Sequence, residues 1–138
     1  MKALTLHQPW ATLIAIGAKR IETRSWETKY RGLIAIHAAA AFPKYARRML
    51  CHPVCRTIDV LPLGAVVATA RLVTVLSTEL FYRDGNVVWY HGRAITEQEL
   101  AFGDYSPGRF AWVLEDVKPL PEPIPAKGGR RIWNWSEA

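Results

Sequence analysis

At 138 residues, half of them apolar, the chain has the size of one domain and enough apolar material to bury a core without metals or disulfides. No apolar run approaches the roughly 18 residues of a membrane span, and His7, Gln8 and Pro9 interrupt the start before a signal-peptide core can form, so a soluble, cytoplasmic protein is expected. The net charge of +6 is localised: nine Lys or Arg against Glu22 and Glu27 from Lys19 to Arg56, nine acids against five bases from Thr57 to Ala126, then Lys127, Arg130 and Arg131 against Glu137, a distribution that draws phosphate and polyanions.

In chain order, KALTL alternates like a strand, and PWATLIAIG reads as a short buried helix with Pro9 in its first turn and Gly17 at its C-terminal end. RIETRSW returns to an extended pattern, RGLIAIHAA is a strand after a Tyr-Arg-Gly turn, and FPKYARRML is helical until Pro53 interferes. GAVVATARLVTVL is a long strand. TEQELAFG is a short helix capped by Thr96, with Glu99 three residues on, and RFAWVLEDV is a further strand. Alternate prolines in KPLPEPIPAKGGRRIWNW predict a segment that wanders over the surface and ends in one or two ordered turns. No repeat or linker divides the chain, so one domain over 1–138 is expected. Short helices among several apolar strands give an α+β class and a small barrel that hides its sheet edges. Cys51 and Cys55 flank His52 in CHPVC, which has neither a disulfide-framework nor a zinc spacing, so no metal or cofactor is expected.

The stretch GAKRIETRSW concentrates the chemistry. Gly17 is read as a helix C-cap or a functional glycine. Lys19 leaves that turn with a flexible ammonium suited to a phosphate or a carbonyl. Glu22 and Arg24, two apart on a strand, share a face and either hold each other or share a ligand. Arg24 can grip a phosphate or base edge bidentately, and Glu22 can accept from an exocyclic amine or orient the cations; the alternative is a buried ion network bracing the barrel mouth. Trp26 and Tyr30, beside Arg31, are the candidate stacking platform, since aromatic faces among cations contribute about 1–3 kcal/mol per stacked base. Trp10 reads as core. Gln8 and His7 either bond a base edge or cap the first helix, and His37 is read as a satisfied core or rim histidine. Lys127, Arg130, Arg131 and Trp133 repeat the cation-plus-aromatic theme and are expected over the same cleft.

GAKRIETR fits GxKxxExR with Gly17, Lys19, Glu22 and Arg24 in the four fixed places, and it resembles the signature of the ASCH domain, the activating signal cointegrator homology domain. LHQPWATLI, RSWETKYRG, IAIHAA and AKGGRRIW resemble the cointegrator-type branch, so the likeness runs from Leu4 to about Trp135. It leaves 51–59 and 81–93 without a matching motif. The resemblance implies a PUA-like β-barrel with flanking short helices and an association with nucleic acid. Some members are hydrolases of modified nucleosides or of RNA. The lysine of the amidohydrolase members matches Lys19, but their threonine falls on Glu22; Thr23 is adjacent, and their glutamate has no assignable match, although Glu97 and Glu99 lie in the region that would hold it.

The expected function is nucleic-acid binding, DNA or RNA, by a monomer through Gln8, Lys19, Glu22, Arg24, Trp26, Tyr30, Arg31, Lys127, Arg130 and Trp133. The alternatives are a hydrolase using Lys19, Glu22 and Thr23, and a protein-interaction module. No GxSxG, HExxH or phosphate loop supports ordinary hydrolase machinery.

Overall fold

The computed structural model describes residues 1–90 and 92–137. Its elements in chain order are β1 (Lys2–Leu6), α1 (Trp10–Ala15), β2 (Ile21–Arg24), β3 (Gly32–Ala38), α2 (Lys44–Arg47), β4 (Ala65–Ser77), β5 (Tyr82–Asp84), β6 (Val87–Tyr90), β7 (Arg93–Ala94), α3 (Glu97–Ala101), β8 (Phe110–Pro125) and β9 (Ile132–Asn134). The class is mixed α+β, as expected. No helix among the described residues is long and apolar enough to cross a membrane.

Six strands form one sheet in the order β2-β8-β4-β3-β1-β9, in which only β1 and β3 run parallel. The 13-residue β4 and the 16-residue β8 carry the sheet, and their pairing shifts register at three places, one of them beside Asp116, whose φ is 50°. Each extra residue bends the ladder and adds twist, so the sheet curls into a half-barrel. α1 lies in the hollow against β1, β3, β4 and β8. Ala11 through Ala15 are all buried, as expected of a helix apolar all round. The core around it is Leu4, Leu6, Ile14, Ile34, Ile36, Leu72, Leu114 and the fully buried Trp112.

The C-terminal segment departs from expectation. Residues 118–125 do not wander: they continue β8, paired with β4 from Thr69↔Lys118 to Ala65↔Pro125, and 132–134 form β9 against β1. β2 reaches only Phe110 to Val113 of β8, so beyond that point β8 is an edge strand on which a missing N–H costs no ladder bond. Ala126, after the last of these prolines, donates to Gly64 O at 3.0 Å. A separate three-stranded sheet, β5-β6-β7, packs Phe81, Val88 and Ile95 against Ile21 and Tyr105.

Two glycines shape the ends of the chain for different reasons. Gly17, at φ 80°, closes α1 with a paired turn in which Gly17 N–H donates to Ile14 O and Ala18 N–H to Leu13 O. A Cβ there would meet nothing within 4 Å, whereas one on Gly129 would lie 2.7 Å from the Trp133 ring. Gly17→Ala is therefore expected to cost about 1–2 kcal/mol from left-handed strain alone. Gly129→Ala is expected to cost roughly 1–3 kcal/mol and to displace Trp133. Urea unfolding gives both costs, and the indole signal of Trp133 moves only in the second variant.

Candidate nucleic-acid interface

The half-barrel has an open seam. β2 and β9 are the two edges of the sheet, and no ladder joins them. Side chains bridge it: Arg24, at the end of β2, donates from Nη2 to Thr5 O of β1 at 2.7 Å, and Arg131, just before β9, lays its guanidinium 4.9 Å from the ring centre of Trp26. Over this seam opens a cleft of about 670 Å³, lined by Thr5, His7, Trp10, Glu22, Thr23, Arg24, Trp26, Tyr45 and the loop Phe102 to Asp104 with Arg109.

The floor is an ion network. Glu22 takes Arg24 Nε on Oε2 at 2.9 Å and stands 3.4 Å from Lys19 Nζ through Oε1. The strand reading placed Glu22 and Arg24 on one face, and they are paired there. Lys19, however, is not a cleft residue. The turn at Gly17 folds the chain back, Lys19 N–H joins Ala18 N–H on Leu13 O, and the side chain is fully buried. Its ammonium donates to Ile21 O at 2.5 Å and Phe102 O at 2.9 Å. The expected phosphate contact from Lys19 is thus corrected to a brace beneath the cleft. A buried cation must find acceptors inside the protein, and two carbonyls and Glu22 supply them.

Glu99 reinforces the same strand from α3. Thr96 Oγ1 caps that helix by accepting from Glu99 N–H at 3.1 Å, as the sequence indicated, but the Glu99 carboxylate turns to the backbone N–H groups of Arg20 (2.7 Å) and Ile21 (3.4 Å). Burial raises the pKa of this carboxyl, opposed by those bonds and by Lys19. Glu97, on the same helix, is exposed.

The cleft walls are aromatic on one side. Trp10 stacks on Tyr45 with ring centres 6.0 Å apart, and the Tyr45 hydroxyl lies 2.8 Å from His7 Nδ1. Trp10, read as core, therefore does double duty, half-buried against the core and open to the cleft. Burial and then the nearby Arg24 push the His7 pKa below its ordinary 6.5. Trp26 stands edge-on to Trp112 at 4.8 Å. On the opposite wall, Arg109 donates to Asp104 O at 3.0 Å and Thr23 O at 3.3 Å, and its Nε lies 3.5 Å from the Asp104 carboxylate. Hydrogen bonds from the Ser106 hydroxyl and N–H hold the Asp104 pKa down, with Arg109 adding to the effect. Asp104 N–H in turn donates to Thr23 Oγ1 at 2.9 Å.

Other candidate residues are placed elsewhere. Gln8 is fully buried: Oε1 accepts from Thr12 N–H, and Nε2 donates to Thr12 Oγ1 and Pro62 O, so the side chain holds the first turn of α1 and is closed to a base edge. Tyr30 packs beside the core with its hydroxyl on Leu33 O, and Arg31 folds onto Thr28 O and Tyr30 O; neither lines the cleft. Trp133 donates to Thr5 Oγ1 at 2.9 Å and meets the edge of His37, which is buried between Thr5 Oγ1 and Ala126 O. Lys127 and Arg130 are exposed and outside the cleft lining. Cys51 is exposed, and Cys55 is buried beside Leu13 and Phe102. Arg109, Asp104 and Tyr45 were missed. The first two lie in a loop with no motif, and Tyr45 lies in FPKYARRML, which reads only as a helix.

This arrangement makes Lys19 and Arg24 unequal. Lys19→Ala leaves two buried carbonyls unpaired and takes from Glu22 one of its two cations, and it is expected to cost roughly 3–5 kcal/mol. Arg24→Ala, at a half-exposed position, is expected to cost about 1–2 kcal/mol. Equal, small losses in chemical denaturation would contradict the bracing role of Lys19.

Comparison with known proteins agrees with this architecture. Residues 4–120 match the ASCH domain. The chain is 28% identical over 138 residues to human activating signal cointegrator 1, covering 94% of this chain and 21% of that protein, and the mouse protein matches to the same extent. It thus spans about a fifth of the length of these relatives. Among solved structures, the crystal structure of a point mutant of ZmASCH from Zymomonas mobilis superposes with a TM-score of 0.50 at 22% identity, over 90% of this chain and 74% of that one, which supports the fold. The chain belongs to the ASCH domain family, whose PUA-like fold is associated with RNA binding.

Proposed function

We propose that this ASCH domain binds a strand of RNA or DNA in the seam cleft, with a base among Trp10, Tyr45 and Trp26 and phosphate held by Arg24 and Arg109. The observation that carries this reading is the convergence of two anchored guanidiniums and three aromatic side chains on one cleft. Each arginine is already fixed by backbone carbonyls and a carboxylate, so little side-chain entropy remains to be lost when an anion arrives. The Lys19–Glu22–Arg24 set holds two cations against one acid, leaving a positive charge at the floor. A cleft of about 670 Å³ lies within the usual range for small-ligand sites, about 300–1,000 Å³, and so has room for a nucleotide. The recessed aromatic faces favour a base that has left its stack. Lys44, Arg47 and Arg48, exposed beside Tyr45, extend the positive surface along α2.

Hydrolysis through Lys19 and Thr23 has less support. The Thr23 hydroxyl lines the cleft but accepts from Asp104 N–H, and Lys19 is committed to two carbonyls below it. No base is aimed at that hydroxyl by any of these contacts.

The test is a salt titration of binding to single-stranded RNA and DNA with product analysis afterwards. Arg24→Ala and Arg109→Ala are each expected to weaken binding about tenfold per folded molecule, a loss of roughly 1.4 kcal/mol. Each is also expected to lower the steepness of the salt dependence. Wild-type affinity in both variants at low salt would remove the cleft from the interface, and product formation would favour the hydrolase.

The pH dependence has a definite sign. His7 has a lowered pKa in the free cleft, and an anion bound nearby favours its protonated form. Binding therefore takes up a proton, and affinity is expected to rise as pH falls from 7 to 5. His7→Gln should flatten that rise, and an unchanged slope would place His7 outside the interface.

A further inference from the structure

Of the basic C-terminal segment expected over the cleft, Arg131 is the residue whose cation reaches a cleft-wall side chain, Trp26. The segment 127–131 runs between two fixed points. Before it, Ala126 donates to Gly64 O and accepts from His37 Nε2; after it, β9 pairs with β1, and Trp133 donates to Thr5. Gly128 and Gly129 press against His37 and the Trp133 ring, so closely that a Cβ on either would lie within 3 Å of them. Arg131 then turns with φ 51°, a left-handed conformation unusual for a side-chain-bearing residue, and this turn carries its guanidinium over Trp26. Trp26 is meanwhile steadied edge-on against Trp112.

A guanidinium is a flat, delocalised cation, and on an indole it occupies the space a nucleobase would occupy. That face of Trp26 can accept a base only when the guanidinium leaves it. We propose that Arg131 is a binding residue of this cleft that covers the stacking face of Trp26 as an internal stand-in for a base. It moves to the ligand's phosphate when a base takes its place. This rests on the nucleic-acid reading above and adds to it a competition that a bare phosphate chain cannot win. A phosphate chain gains from the charge of Arg131 without displacing it, whereas a base must replace the stack.

The test uses two single-stranded probes of equal length and charge, an oligo-dA and the corresponding abasic deoxyribose-phosphate oligomer, on the full chain. Arg131→Gly suits the left-handed backbone and removes the guanidinium, and Arg131→Asn, which tolerates the same conformation, serves as a second variant. Both lose one cation and should bind each probe more weakly at equal salt through that term. The ratio of oligo-dA affinity to abasic affinity cancels it and is expected to rise about two- to fivefold over wild type. A ratio that is unchanged or falls in both variants overturns the stand-in role while leaving the cleft reading intact. Wild-type protein that binds neither probe at low salt overturns the cleft reading itself and this inference with it.

Discussion

The buried ammonium of Lys19 is the constraint on which the site depends. An unsolvated cation demands acceptors, and those it finds, Ile21 O and Phe102 O, come from β2 and from the end of α3, more than 80 residues apart in the chain. The turn that buries it is built by Gly17, so the helix end, the strand carrying the charged motif and the loop behind it are fastened at one point. Glu99 adds a second fastening between the same partners through the N–H groups of Arg20 and Ile21. Truncating either partner of such a network leaves buried groups unsatisfied, which is why its members behave as a unit.

What this brace holds in place is the opposite face of β2. Glu22 is shared between the interior cation and Arg24, so the carboxylate that neutralises Lys19 also orients the guanidinium at the mouth. Arg24 then crosses the seam to Thr5 O, where a closed barrel would have a ladder. The cleft therefore exists because the sheet stops short of closure: two strand edges leave exposed carbonyls, and arginines satisfy them while keeping donors free for a ligand. Arg109 repeats the device on the Asp104 loop with Thr23 O and Asp104 O. Each of these arginines is also paired with one carboxylate, Glu22 or Asp104, so carbonyl anchoring fixes the guanidiniums without adding further acids to the cleft.

The curl of the sheet brings together aromatics from distant stretches. Trp10 comes from α1, Tyr45 from α2 and Trp26 from the turn after β2, and each is steadied by a neighbour: Tyr45 by His7, Trp26 by Trp112. The register shifts between β4 and β8 supply this curvature, and the long Pro-containing edge of β8 is tolerated because β2 ends before it. From the other side of the seam the C-terminal segment touches two cleft-lining residues, Arg131 lying over Trp26 and Trp133 bonding Thr5.

Much was legible from residue pattern. The strands of alternating or continuous apolar residues, the capped helix at Thr96, the glycine turn at Gly17 and the pairing of Glu22 with Arg24 follow from local rules of period, capping and φ, and the structure has them. The ordered motifs from Leu4 onward identified the family. Which way a side chain faces after a turn is not a local property. Lys19 and Gln8 carry polar groups that a sequence reading assigns to a ligand, yet each is satisfied by a carbonyl that only folding brings near, Phe102 O and Pro62 O, while Tyr30 turns its hydroxyl to Leu33 O three residues on. Conversely, Arg109 and Tyr45 become cleft residues because the sheet stops short of closure and leaves a gap beside them. The sequence by itself determined β1 to β4, the short helices and the first half of β8, together with the family and the charge of the motif, but not β5 to β7, the second half of β8 or β9. Tertiary structure alone decided which cations are spent inside and which face the cleft, because that division depends on acceptors contributed by segments far apart in the chain.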